Sequence, residues 1–453
     1  MTTRERLARL DPLGRLLAPV PATRTGALES VAVAVVAFLL ASLRLGRTSY
    51  DGVVWAEDGP IFLQGAHEQG LLGALLDPYR GYAHVVARLA AEPVSHLPLT
   101  WQGVGISLAA VVVQALVALL VYHVVRAHRP GRPAAVVAAL AVAVVPLGWE
   151  VIANVANSQW FLLAGAVLAP LWSPQRLVGR VGSALVLALA CLSSPFAGLG
   201  AALACAVALC VRSRRSVVLA AVGVVALGVQ ALVMATAPAR GDVTGQRDLA
   251  ALPAGWLRRV VGDAVLGQAR YGDAGAPHEA PGVLVGLLAL LVLLAGAVAL
   301  LLSGRGRDLV VPALLVVVGG LAYAAPAYLT SIDTTEVSFS GRYYVPPAVL
   351  LLVALAMLAE AAWTRDRSVG SDRRPLLLGA KVLTAALVAA TAYGLVTSWQ
   401  VPDGFTRYTD PSWSEAVTQA RVDCDGRRPG APAELWQSPS NWYVVLPCRV
   451  VGG

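Results

Sequence analysis

The feature that most constrains this chain is its series of long apolar runs. Crossing ~30 Å of membrane hydrocarbon takes about 20 apolar residues as a helix, and eleven runs reach or approach that length. Only 14% of the 453 residues are charged, against roughly a quarter in a soluble domain. The sequence therefore predicts an all-α polytopic membrane protein with about eleven transmembrane helices. The predicted runs are 26–46, 102–125, 134–152, 158–173, 180–197, 198–211, 217–237, 281–303, 309–329, 343–363 and 376–399.

The distribution of arginines predicts the orientation of these helices. The net charge is +8, and Lys381 is the only lysine. Basic clusters such as Arg212-Ser213-Arg214-Arg215 and Arg373-Arg374 fall in alternate short loops, which the positive-inside rule places in the cytoplasm. The basic N-terminus has no small-residue cleavage site, so we expect an uncleaved cytoplasmic tail and an extracytoplasmic C-terminus. No nucleic-acid-binding motif accompanies the charge, so we expect no nucleic-acid partner.

With this orientation, the outer face carries most of the chain outside the membrane. Its segments are 47–101, 238–280, 330–342 and 400–453. We therefore expect a transmembrane domain over 1–399 and a small extracytoplasmic C-terminal region over 400–453. In that region, Asp410-Pro411 is typical of the start of a short helix running to about Ala420, and residues 442–446 are typical of a strand.

Two adjacent carboxylates, Glu57 and Asp58, lie near the start of the first outer segment. Asp58 followed by Gly59-Pro60 fits a helix N-cap with proline in the first turn. A carboxylate at the apolar boundary also has a tunable pKa and can deprotonate an acceptor hydroxyl. The two interpretations are compatible, and capping leaves Glu57 unexplained.

Two stretches of the outer segments have helical periodicity. In the first, Tyr82, Val85, Val86, Leu89, Ala90 and Val94 form an apolar face, and Arg80, His84, Arg88, Glu92 and His96 a polar one. This pattern predicts an amphipathic helix in the interface; Arg80, His84 and Arg88 either line an anion site or form a solvated face. The second, around Arg258, Arg259 and Asp263, is assigned to interface anchoring.

Polar residues also cluster at two other membrane edges. Asn154, Asn157 and Gln159 concentrate amides there, and buried amides need partners, either sugar hydroxyls or neighbouring helices. Arg342 and Tyr343 stand at the beginning of a late helix. The planar guanidinium suits phosphate recognition, although an arginine at this position can also extend to the headgroup layer.

The cysteines predict a disulfide, and the absence of several motifs argues against some classes of enzyme and pump. Cys424 and Cys448 both fall in the outer tail, where disulfides are permitted, so they are the natural pair. The sequence has no Cys/His metal spacing, P-loop, nucleotide fingerprint or Gly-x-Ser-x-Gly element. An ATP-driven pump or a serine hydrolase is therefore not indicated.

This layout resembles the GT-C superfamily of polytopic glycosyltransferases, which carry a catalytic Asp or Glu in the first extracytoplasmic loop. The chain is also similar to a bacterial GT-C-like group, mostly of unassigned substrate. The similarity lies in the Ala-Glu-Asp-Gly element at 56–59, the Asn-x-x-Asn-x-Gln-Trp stretch at 154–160 and the Gly-Arg-Tyr element at 341–343. The pair here is Glu-Asp, where some members have Asp-Asp or Asp-Glu.

The resemblance implies an inverting transfer of a sugar from a polyprenyl-phosphate donor to an envelope glycan, lipid or protein acceptor at the bacterial plasma membrane. Asp58 or Glu57 would be the base, or would bind a divalent cation (Mg²⁺ or Mn²⁺) where a member uses one. Arg342 would face the donor phosphate. One alternative is a flippase or transporter, which the nearly uniform Ala, Val, Leu and Gly of the helix interiors does not favour. A second is a metal-free lipid-linked-glycan ligase that relies on His84 and Arg88.

Overall fold

The structure is a computed structural model. It describes residues 16–19, 25–44, 46, 48–129, 131–146, 150–237, 250–267, 279–329, 341–364, 373–399 and 411–452. The basic N-terminal residues, Asp410, the outer loop 331–340 and most of 238–280 lie outside these ranges.

The described chain is mainly α-helical, and six stretches are long and apolar enough to cross a membrane. Four shorter apolar helices lie between them. Each of the eleven predicted runs overlaps an α-helix, and the apolar part of the chain is all-α, as expected for a membrane protein. In chain order these helices are α1 (Ala27–Arg44), α4 (Leu99–His128), α5 (Arg132–Ala143), α6 (Ser158–Leu168), α7 (Leu177–Ser193), α8 (Gly198–Val211), α9 (Arg214–Thr236), α10 (Glu279–Leu300), α11 (Val310–Leu329), α12 (Gly341–Trp363) and α13 (Arg374–Thr397).

The third predicted run ends earlier than its hydropathy suggests. Helix α5 stops at Ala143, and the described residues between 150 and 157 form turns. Pro146 follows closely and lacks a backbone N–H, which disfavours a continuing helix. The predicted range 134–152 is therefore too long, and its end is replaced by the turns that approach the acidic pair.

The first outer segment contains two helices, α2 (Gln64–Leu76) and α3 (Val85–Ser95). The prediction of a helix in 82–94 is confirmed, but its assignment of the two faces is wrong in part, because Leu89 is 41% exposed and Arg88 only 2%. Helix α3 packs against α2, α4 and α7. The amide of Val86 donates to Ser193 Oγ (3.1 Å), which ties the start of α3 to the end of α7.

The described part of the second outer segment, 250–267, also packs against protein. Its helical part, 251–266, packs against α10, α12 and α13. Arg258, Arg259 and Asp263, predicted to face water at the interface, are all buried. Arg259 Nη1 lies 3.7 Å from Asp263 Oδ2, and such pairing is what allows charges to be buried. The interface-anchoring interpretation is therefore wrong for this segment.

The C-terminal tail is a small α/β unit closed by a disulfide. It consists of α14 (Trp413–Cys424), β1 (Pro432–Gln437), β2 (Trp442–Pro447) and α15 (Cys448–Val451). The strands pair antiparallel with Gln437 opposite Trp442. The predicted cysteine pair, Cys424 and Cys448, is bonded, with Cα atoms 5.5 Å apart. Ser412 and Glu415 form a capping box at the start of α14.

The tail shares its core with the first outer segment. Phe62 and Leu63 belong to the same buried cluster as Trp413, Leu435 and Val444. The indole Nε1 of Trp413 donates to the carbonyl of Leu99 at the start of α4 (2.6 Å). The tail is therefore docked on the transmembrane region, and the predicted boundary near 400 does not separate two independent cores.

Candidate active site

The acidic pair lies in a turn, residues 55–60, that the C-terminal tail holds in place. We call it the acidic turn. The amide of Ala56 donates to the Ser438 carbonyl (2.6 Å), and the amide of Ser438 donates to the Val54 carbonyl (3.2 Å). The side-chain amide of Gln437 donates to the Ala56 carbonyl. The acidic turn is thus fixed by residues nearly four hundred positions away in the sequence.

Gly59 is required for this docking. A Cβ at position 59 would lie 1.7 Å from Gln437 Oε1 and 2.6 Å from Val444 Cγ2. Neither separation is possible between non-bonded atoms, so a larger residue would push the Gln437 side chain away from the Ala56 carbonyl. Close packing against the tail therefore explains why the Ala-Glu-Asp-Gly element has a glycine at position 59.

Asp58 is buried, and its carboxylate accepts hydrogen bonds from two backbone amides. Its side chain is 1% exposed. Oδ1 accepts the amide N–H of Ala156 (2.8 Å), and Oδ2 accepts that of Val155 (3.1 Å). Asp58 stands at the predicted N-cap position, with Pro60 in the first turn, but its side chain makes no capping hydrogen bond there. Its carboxylate instead joins the acidic turn to the turn that precedes α6.

Glu57 lies in a different environment from its neighbour. It is half-buried, and its carboxylate lies within electrostatic range of the guanidinium groups of Arg80 and Arg342. These two arginines are close enough to repel each other. The structure therefore places one carboxylate and two cations, from two outer segments, within electrostatic range of one another.

Each arginine of this group has a second partner. Arg342 Nη1 lies 3.3 Å from Glu150 Oε1, and the Arg342 backbone amide donates to Glu150 Oε2 (3.3 Å). Arg80 Nε donates to the Tyr79 hydroxyl (3.5 Å), and this bond, supported by the charge of Glu57, raises the pKa of Arg80 above its usual value. Glu150, which the sequence did not single out as a site residue, is thus the fixed counter-ion of Arg342.

The amides at 154–160 mainly satisfy one another. Asn154 Oδ1 accepts the amide of Asn157 (2.8 Å), and Asn157 Oδ1 accepts the indole N–H of Trp160 (3.2 Å). The Trp160 ring lies edge-on to Tyr343, with centroids 4.7 Å apart. These contacts connect the turn before α6 to the start of α12. Gln159 is half-buried, and its side chain makes no hydrogen bond to the described residues.

His84 and Arg88 are both buried within the first outer segment. The rings of Phe62, Tyr79 and Tyr82 lie 5.6–5.8 Å from the His84 ring, which is 6% exposed. Arg88 donates to the Asp77 carbonyl and lies over the Phe62 ring. Burial lowers the pKa of Arg88, with the Asp77 charge opposing that effect. Both residues hold the first outer segment together.

The backbone around the site is strained. Five non-glycine residues among those described have a positive φ, and four belong to the segments above: Ala56, Arg80, His84 and Ala153, at 45° to 54°. This conformation costs an L-residue roughly 1–2 kcal/mol. Such strain persists only where the surroundings enforce it, and it is concentrated at functional sites.

The described residues do not fit a divalent cation at the acidic pair. Both Asp58 oxygens accept N–H groups, which point positive charge at the position a cation would take. Among the described residues, no group of three His, Cys, Asp or Glu side chains is placed to hold a metal ion. The expected Mg²⁺ or Mn²⁺ site therefore has no support from the described donors.

Comparison of the chain with protein families, curated proteins and solved structures finds no match.

Proposed function

We propose that the protein is an integral-membrane glycosyltransferase of GT-C type, which transfers a sugar from a polyprenyl-phosphate donor to an extracytoplasmic glycan, lipid or protein acceptor. The observation that carries the proposal is the half-buried Glu57 carboxylate within electrostatic range of Arg80 and Arg342. A base beside two cations is what attack by a hydroxyl on a phosphate-activated sugar requires.

The two carboxylates then have different roles. Glu57 accepts the proton of the acceptor hydroxyl as its oxygen attacks the anomeric carbon. The bond from that carbon to the phosphate oxygen breaks, and its electron pair leaves on the polyprenyl phosphate. Arg80 and Arg342 stabilise the departing phosphate, and Glu150 keeps Arg342 oriented. Asp58 is a positioning residue that holds the turn before α6.

The same proposal covers the membrane topology. The bundle of eleven apolar helices crosses the plasma membrane of a bacterium, with the N-terminus cytoplasmic and the C-terminal tail outside. The short helices α5 and α6, with 12 and 11 residues, cover only part of the membrane thickness. The acidic turn and the tail that holds it then lie at the outer leaflet, where a lipid-linked sugar and an envelope acceptor meet. The turn that precedes α6 meets the acidic turn at Asp58.

The test measures release of polyprenyl phosphate, because this product is the same for every sugar. The purified protein in nanodiscs is given a panel of polyprenyl-phosphate sugars with an envelope-lipid extract as acceptor. Loss of a general base lowers rates by roughly 10²–10⁴-fold, and we expect that loss for Glu57→Gln. Glu68→Gln is the matched control, since Glu68 is an exposed carboxylate in the same segment.

Two outcomes would contradict the proposal. Full activity of Glu57→Gln would remove Glu57 as the base. Movement of intact lipid-linked sugar between leaflets, with no polyprenyl phosphate released from any donor, would identify a flippase instead. The ligase alternative predicts a larger loss for His84→Gln than for Glu57→Gln, and the enclosure of His84 argues against it.

A further inference from the structure

A cavity lies at the opposite end of the bundle from the acidic turn. Helix α6 begins beside Asp58, and the turn Ala169–Leu171 that follows it ends at this cavity, about 20 Å away at 1.5 Å per helical residue. Its volume is about 450 Å³, and α7, α8 and α9 form its walls. It is separate from the candidate active site.

Three arginines line this cavity, which we call the arginine cavity: Arg180, Arg214 and Arg215. Arg180 Nε and Arg215 Nη1 both donate to the Pro174 carbonyl, at 3.3 and 3.4 Å. Two guanidinium groups from different helices therefore converge on one point. Only neutral carbonyls accept from them among the described residues.

The charge of this cavity is not neutralised by its own part of the chain. The sequence contains no Asp or Glu between Glu150 and Asp242, a stretch that includes all of α6 to α9. None of the described residues lining the cavity is acidic. Converging cations without a counter-ion attract an anion from outside the protein.

Apart from three serines (Ser173, Ser183 and Ser216), the rest of the lining is mainly apolar and reaches the outer surface of the bundle. Pro170, Ala204 and Val207 line its interior. Leu177, Val181 and Val218, also in the lining, are 71%, 45% and 53% exposed on the outer surface of the bundle. A free phosphate would leave this apolar wall unused, whereas an acyl chain would cover it.

We propose that the arginine cavity binds an anionic phospholipid of the surrounding bilayer. The phosphate lies against Arg180, Arg214 and Arg215, and one acyl chain runs along the apolar wall between α7 and α9. Basic pockets between transmembrane helices bind anionic headgroups in this way. The lipid supplies the counter-ion that the chain from α6 to α9 lacks.

The test titrates the full-length protein in detergent with phosphatidylglycerol and counts bound lipid by native mass spectrometry. At about 1 kcal/mol for each arginine near an anionic surface, Arg180→Gln with Arg215→Gln should weaken binding on the order of 30-fold. Arg176→Gln with Arg212→Gln is the matched control. It removes the same charge at the same end, and neither residue lines the cavity. We expect less than a threefold change for it.

A second variant tests the apolar wall without changing charge. Ala184→Leu narrows the cavity and should weaken phosphatidylglycerol binding while leaving phosphatidylcholine association unchanged. It also keeps the proposal testable if the double arginine variant does not fold. Equal losses in the two arginine pairs would overturn the proposal in favour of diffuse attraction. Competition by millimolar inorganic phosphate as effective as that by the lipid would identify a phosphate site and overturn it too.

Discussion

The charged groups at the two ends of the helical bundle are paired in different ways. At the acidic turn, Asp58 accepts two backbone amides, Arg342 is paired with Glu150, and Glu57 lies near two arginines. At the arginine cavity, the guanidinium groups converge with no acidic residue among the described lining. At the acidic turn the counter-ions are residues of the protein. At the arginine cavity a counter-ion has to come from outside the protein.

At the acidic turn the charged groups are already paired and oriented by the protein, whereas at the arginine cavity they remain open to an external anion. Groups fixed by the protein before a substrate arrives need no reorganisation during a reaction, which is what catalysis by electrostatic stabilisation requires. The strained backbone at Ala56, Arg80, His84 and Ala153 and the docked tail belong to that end. Exposed cations beside an apolar wall instead suit reversible binding of a membrane component. The contrast is what the two proposals require, with chemistry at the first end and lipid association at the second.

The strongest test of preorganisation is Asp58→Asn. A helix cap would tolerate asparagine, but an amide has one acceptor oxygen where the carboxylate has two. One of the Val155 and Ala156 amides would then be buried without a partner, so we expect roughly 2–4 kcal/mol of destabilisation together with loss of transfer. Thermal unfolding in one detergent, beside Glu57→Gln and the wild type, measures this. An unfolding temperature for Asp58→Asn equal to that of the wild type would show that the carboxylate is not a structural acceptor.

Removing the disulfide should weaken the acidic end only. The Cys424–Cys448 bond closes a loop of about 25 residues, for which chain entropy predicts a contribution of about 3 kcal/mol. Cys424→Ser with Cys448→Ser should lower both the unfolding temperature and the transfer rate, because the tail fixes the acidic turn. Phosphatidylglycerol binding at the arginine cavity should not change. Loss of lipid binding to the same extent as transfer would mean that the two ends are not independent.

The contact at Gly59 tests the docking of the tail directly. Gly59→Ala would overpack the contact with Gln437 and Val444, and overpacking costs typically 1–3 kcal/mol. Gly430→Ala is the matched control, because a Cβ there meets nothing within 4 Å. Resistance of the 425–447 segment to limited proteolysis reports the result, with Gly59→Ala cleaved faster. If both variants resist protease like the wild type, the tail is not held at Gly59.

Local patterns in the sequence predicted the helices and the cysteine pair, since each depends on composition over a short range. They also identified the segments that meet at the site: the acidic pair, the amides at 154–160 and Arg342. Helical periodicity could not decide which side of α3 is enclosed, because Arg88 and Leu89 are neighbours and burial is set by packing against α2, α4 and α7.

The docking of the tail was missed for a different reason. Gln437 and Ala56 are 381 residues apart, and neither residue type signals the contact. The different environments of Glu57 and Asp58 could not be predicted either, because they depend on which carboxylate reaches the Val155 and Ala156 amides. A glutamine at 437 and a glycine at 59 become informative only when both are seen in one contact.

The finest test of the contrast exchanges arginine for lysine at both ends. Arg342 pairs with Glu150 through both Nη1 and its backbone amide and lies within electrostatic range of Glu57. A lysine ammonium lacks the planar fork, so Arg342→Lys should lower kcat/KM about tenfold. At the arginine cavity the requirement is charge near a phosphate, which an ammonium satisfies, so Arg180→Lys should change phosphatidylglycerol affinity less than about threefold. Unfolding temperatures check that both variants fold. A lysine tolerated at 342 and rejected at 180 would reverse the assignment, making the cavity the end with fixed geometry.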